Sequence, residues 1–172
     1  WCCTCGGAWE PAEIPPFDHN AIKKGDTSIW RYGSFLGLDI QEPFKRMGVG
    51  WTPLVPVKLF DKNTLFKLEY LSPSGSFKDR GVNTMVNQLI SMNVNTIVED
   101  SSGNAGASVA AHAARFGLIG RVFVPEYASP GKIMQIANYG VEVITVQGTR
   151  RDVEKAAQAD IVPEVAYASH AY

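Results

Sequence analysis

The chain has 172 residues, 45% hydrophobic and 19% charged, the composition of a globular domain with a substantial core. Sixteen basic residues against seventeen acidic ones leave a net charge of -1, which removes the usual electrostatic ground for a nucleic-acid or anionic-membrane partner. With no apolar run near the ~20 residues of a membrane span and no signal-peptide pattern at the start, a soluble, cytoplasmic protein is expected.

The first five residues hold all three cysteines, Cys2, Cys3 and Cys5. Their number and closeness suit a disulfide framework poorly. Cys2 and Cys5 instead form a Cys-x-x-Cys-Gly-Gly knuckle whose two thiolates can reach one tetrahedral zinc. Zinc takes four ligands and no second cysteine pair follows, so two readings stand: half of a zinc ribbon whose other half lies upstream, or a flexible cysteine-bearing tail. Residues 1–50 read as an irregular, Pro- and Gly-rich arm with aromatics such as Trp30, Tyr32 and Phe35 to anchor it.

From Val57 the pattern becomes regular. Residues 65–69 alternate apolar and polar and predict a strand. Residues 72–76 are a turn-rich loop, and Val82, Met85, Val86, Leu89 and Ile90 recur at helical spacing. Residues 96–98 predict a short buried strand, 101–104 a loop, and 105–116 an alanine-rich helix stopped by Gly117. A strand over 121–124, a helix over 132–139, a strand over 141–146 and a helix over 152–159 complete the series. Alternating strands and helices with short connections predict an α/β fold, a doubly wound parallel sheet covered on both faces. Ligands of such sheets bind beyond the carboxyl ends of the strands, where loops enter helices.

Two loops stand at such positions. In Ser74-Gly75-Ser76-Phe77-Lys78-Asp79-Arg80-Gly81, Lys78 falls where a loop enters a helix. The positive end of the helix dipole, with Arg80 nearby, disfavours an ammonium and favours the neutral amine that condenses with carbonyl compounds. Gly75 and Gly81 permit tight turning, and Asp79 with Arg80 reads as an ion pair at the helix start. From local residues alone a solvated surface lysine is the plainer account of Lys78. In Asp100-Ser101-Ser102-Gly103-Asn104-Ala105-Gly106, exposed N–H groups at a helix start can hold a carboxylate or phosphate; ordinary capping by Ser or Asn is the plainer account.

Together, Ser-x-Lys-x-Arg-Gly and Ser-Ser-Gly-Asn-x-Gly some twenty residues later resemble the tryptophan-synthase-like, fold type II pyridoxal-phosphate enzymes. Within them the chain looks most like the threonine synthases, on Gly75 to Gly81, on Trp51-Thr52-Pro53-Leu54, on Ile29-Trp30-Arg31-Tyr32 and on the cysteine knuckle that some of them carry in a zinc ribbon. The resemblance covers nearly the whole chain. It implies pyridoxal 5'-phosphate as cofactor, Lys78 as the Schiff-base lysine and proton shuttle, and Asn104 as the donor to the cofactor's ring hydroxyl. Ser101, Ser102 and Gly103 would grip the substrate carboxylate, Phe77 would line the cofactor pocket or simply pack, and His112 would pack within its helix. The implied reaction takes O-phospho-L-homoserine and water to L-threonine and phosphate, a lyase step of threonine biosynthesis, in an enzyme expected to be a homodimer when full length.

The chain departs from that pattern at Ala105, where many threonine synthases carry Thr, and at Trp51, where the family has Asn. The family's glycine-rich cofactor-phosphate cup and the residue facing the pyridine nitrogen are expected beyond residue 172, so 51–172 reads as a cofactor-binding domain that stops before that loop and is inactive alone. A serine/threonine dehydratase or a cysteate synthase is the rival reading within the family, and a folded, non-catalytic fragment the rival outside it. A zinc-ribbon nucleic-acid binder would need a second cysteine pair and a basic face.

Overall fold

The computed structural model describes residues 13–38 and 45–168. Its centre is a four-stranded parallel sheet in the order β5-β4-β3-β6, with β3 at Thr96–Glu99, β4 at Ile119–Pro125, β5 at Glu142–Val146 and β6 at Val165–Tyr167. Side chains alternate across it as strand geometry requires. Ile97, Val122 and Val124 face one side, onto α1 (Lys78–Ser91), α2 (Asn104–Phe116) and α3 (Pro130–Ala137). Val98, Phe123 and Tyr167 face the other, onto Val153 and Ala157 of α4 (Arg150–Ala159). The expected sheet with both faces covered is the observed one, and each fully buried Val, Leu or Ile contributes about 1.5–3 kcal/mol of hydrophobic stabilisation.

The chain winds from β3 through β4 to β5 and then returns through α4 to place β6 on the far side of β3. That reversal puts α2 and α4 on opposite faces and leaves a crevice at the carboxyl end of β3. Asp100, buried there, accepts from Arg150 Nη1 at 2.7 Å and from the Tyr167 hydroxyl at 2.8 Å, tying β3, β6 and the start of α4 together. α4 begins on a capping box in which Thr149 and Asp152 satisfy each other's backbone N–H groups, and α2 ends, as expected, on Gly117 in the left-handed conformation.

Ahead of the sheet, β1 (Leu54–Leu59) and β2 (Lys62–Lys67) form an antiparallel hairpin. Phe60 and Asp61, both at positive φ, make its two-residue turn. The predicted strand over 65–69 is therefore the second half of β2, and Glu69 belongs to a 3-10 turn. The arm is less irregular than its composition suggests: Ile29–Phe35 form a 3-10 helix. Trp30 is buried and its indole Nε1 donates to Asn83 Oδ1 of α1 at 2.9 Å, so the aromatic anchors the arm as expected. Asn87, one turn on, exchanges two hydrogen bonds with the backbone of Lys45. Cys2 and Cys5 lie outside the described residues. Among the described residues no cluster of three His, Cys, Asp or Glu side chains could hold a metal, and no helix is long and apolar enough to cross a membrane.

Candidate active site

Lys78 is the first residue of α1, and its N-cap residue Phe77 offers no side-chain cap. Gly75, at φ 87°, makes the turn before it, whereas Gly81 lies inside the helix with ordinary helical geometry. The side chain of Lys78 is half-buried, with Nζ 5.3 Å from the Phe77 ring centroid. Lys78 and Phe77 line a cavity of about 320 Å³ between α1 and α2, together with Val82, Met85, Ala105 and Glu99.

The residues after Lys78 do not pair with each other. Asp79 is fully buried and accepts from the Ser74 N–H at 2.7 Å and from the Ser74 and Ser108 hydroxyls, both at 2.5 Å. Arg80 turns outward and clasps Glu69, Nε to Oε2 at 2.9 Å and Nη2 to Oε1 at 2.8 Å, with Thr52 Oγ1 bridging the two. The expected Asp79–Arg80 ion pair is therefore replaced by two separate links, because neighbours on a helix point about 100° apart. The hydrogen bonds from Arg80 hold the Glu69 carboxyl down at about 2 against the upward pull of burial, with Thr52 helping. Arg80's charge is thus answered by Glu69.

Across the cavity, α2 starts at Asn104 with Gly103 as N-cap and no side-chain cap. Capping by Ser or Asn is therefore not what these residues do. Ser101 Oγ accepts from the Gly103 N–H at 3.2 Å, a loop-internal bond that leaves the α2 N–H groups to other partners. The loop closes so tightly that a Cβ on Gly106 would stand 1.8 Å from the Ser101 carbonyl oxygen. Asn104 is exposed on the rim, and Ser101, Ser102 and Gly103 are half-buried beside it; the cavity wall takes Ala105 from this loop, not these four. Lys78 and Phe77 are thus brought together on one wall, with the α2 start at its margin.

Two residues here escaped the sequence reading. Glu99, the last residue of β3, is fully buried on the cavity wall, and neither carboxylate oxygen has a hydrogen-bond partner. Burial, reinforced by Asp100 next door and only partly offset by Arg150 and Lys78, pushes its carboxyl up to about 8. Ser108 likewise carried no signal beyond a small residue in a helix. His112 packs as expected, edge-on to Phe116 at 5.7 Å, with Nδ1 2.8 Å from the Ser108 carbonyl and its basicity lowered by burial.

A family model described as "Pyridoxal-phosphate dependent enzyme" matches residues 45–172. The chain belongs to that family. Members similar to it include the threonine synthase of Halalkalibacterium halodurans, 37% identical over 131 residues and matched over 70% of this chain and 37% of that one. The threonine synthase of Synechocystis is 34% identical over 149 residues, or 83% of this chain and 39% of that one. This family member thus spans about two fifths of the length of the curated relatives it matches. Among solved structures, a hydrogen sulfide-producing enzyme of Fusobacterium nucleatum shares the fold with a TM-score of 0.64 at 24% identity, over 69% of this chain and 42% of that one.

Proposed function

We propose that this chain is the lysine-bearing half of a threonine synthase, which converts O-phospho-L-homoserine and water to L-threonine and phosphate. The observation that carries this reading is Lys78 on a half-open cavity beside the uncapped start of α2, in a chain whose curated relatives bear that name. The residues present fit part of pyridoxal 5'-phosphate: an amine for its aldehyde, an apolar wall of Val82, Met85 and Val109 for its ring, and a loop held too close at Gly106 for any side chain. When bound, the cofactor supplies an electron sink for carbanion chemistry.

This chain's residues do the rest. Lys78 would hold the cofactor and would carry protons at Nζ. Asn104 would help hold the cofactor ring with its side-chain amide. The N–H groups of Ser101 to Gly103 and the first turn of α2 receive the substrate carboxylate. Phe77 and Met85 supply apolar surface beside the amine. The protein acts in the cytoplasm as a homodimer.

Ala105 favours a second reading. It is buried on the cavity wall and offers no hydroxyl to a substrate phosphate, which suits a dehydratase or a cysteate synthase. Turnover of phosphohomoserine against serine and phosphoserine separates the two.

Borohydride reduction of the full-length, cofactor-loaded protein tests the common core of both readings. The expected result is one stable adduct, mapped by mass spectrometry to Lys78 and absent from Lys78→Ala. A label on any other lysine refutes it.

A further inference from the structure

Two motifs singled out in the sequence, Ile29 to Tyr32 and Trp51 to Leu54, find no work at the Lys78 cavity. They meet instead at a second, polar cavity of about 260 Å³, lined by Ser28, Arg31, Trp51, Thr52, Lys67 and Arg80 among others. Arg31 comes from the 3-10 helix of the arm, Lys67 from the end of β2 and Arg80 from the first turn of α1. Three cations therefore converge from three segments. One carboxylate, Glu69, answers them, and Arg80 clasps it on both oxygens.

Among the described residues Arg31 has no carboxylate partner, and Lys67 feels Glu69 only through space. The Lys67 ammonium donates to the Thr52 carbonyl at 2.5 Å. The Arg31 guanidinium lies over the Trp51 ring, 4.3 Å from its centroid, and 5.3 Å from that of Tyr32, while its Nε is buried with no hydrogen-bond partner. Trp51 reaches this position through a left-handed backbone, φ 46°, that an aromatic residue rarely adopts. Gly50 before it, at φ 120°, has no room for a Cβ, which would stand 2.7 Å from the Ile29 nitrogen. Three cations drawn into one cavity against a single carboxylate repel, and a guanidinium with an open fork is suited to oxygen pairs.

We infer that this second cavity is a binding site for a phosphoryl oxyanion, held between the Arg31 guanidinium and the Lys67 ammonium, with Arg80 as a fixed positive wall. The site stands independently of the Lys78 reading, although Arg80 lines both cavities. The ligand's source is either free phosphate or a phosphate ester.

The test follows the Arg31 Nε–H resonance in the full-length, cofactor-loaded protein, so that the cofactor's own phosphate seat is filled. Inorganic phosphate should move that resonance saturably. Lys67→Met should weaken the titration at least about ten-fold, the loss of one charge-assisted hydrogen bond, while circular dichroism and borohydride labelling at Lys78 stay as in wild type. Arg31→Lys, which keeps the charge but not the fork, should weaken phosphate binding less than Arg31→Gln when followed by calorimetry. Equal saturation by phosphate and by the non-hydrolysable phosphonate analogue of O-phospho-L-homoserine identifies the bare phosphoryl group as ligand, and tighter binding of the analogue identifies a substrate-side origin; both support the site. No saturable shift with either, or a Lys67→Met protein that titrates like wild type, overturns it. Loss of the Lys78 label with phosphate binding intact would strike the proposed function alone.

Discussion

Glu99 carries an uncompensated cost in the folded chain. Its carboxyl ionises near 4.5 in an ordinary setting and near 8 on the cavity wall. Below pH 4.5 folded and unfolded chains both hold the proton. Between 4.5 and 8 only the unfolded chain ionises, so stability falls as pH rises, and above 8 the loss levels off. Glu99→Gln removes that slope. The variant's stability relative to wild type should climb between pH 4.5 and 8 by on the order of a few kcal/mol, read from urea midpoints. A difference flat across that window would refute the buried, proton-bearing Glu99. Asp79 works in the opposite sense: Asp79→Ala leaves the buried Ser74 and Ser108 donors unpaired and should cost about 3 kcal/mol or more, again by urea unfolding.

Elements were legible where period and punctuation agreed. α2 combines an alanine-rich run with a Gly117 stop, and β3, β4 and β5 are apolar runs bounded by polar residues, so these were readable to within a few residues. The hairpin was only half visible because Phe60-Asp61 makes its turn without the Asn-Gly type of pair that announces one. β6, three residues placed by pairing with β3, has too little sequence for a period. At the site, Lys78 was legible through its motif; Glu99 was not, because a charged residue at a strand end reads as solvated until the fold buries it. The loop into α2 showed its serines and asparagine, but the Ser101–Gly106 contact is tertiary. Gly106→Ala must displace the Ser101 carbonyl by more than an ångström, and a thermal melt should show it among the most damaging single changes, at about 3 kcal/mol or more.

Across the whole molecule, the two cavities share one wall, the first turn of α1. Residues along α1 tie several described segments together: the loop at Ser74 and α2 at Ser108 both hold Asp79, the 3-10 turn at Glu69 holds Arg80, and the arm holds Asn83 through Trp30 and Asn87 through Lys45. The sheet supplies the crevice, and the arm and hairpin add the polar cavity on the other side of Arg80.

The successive ties on α1 have a consequence for motion. Helix ends normally fray, and their amides exchange with deuterium far faster than those of a buried strand. Here the first three turns of α1 are stitched down at Asp79, Arg80, Asn83 and Asn87, to the Ser74 loop and α2, to Glu69 and to the arm. Its opening amides should therefore exchange nearly as slowly as those of β3 and β4, and more slowly than those around Met92 at the far end. A lysine on so stiff a post stays aimed at its cavity whether that cavity is filled or empty.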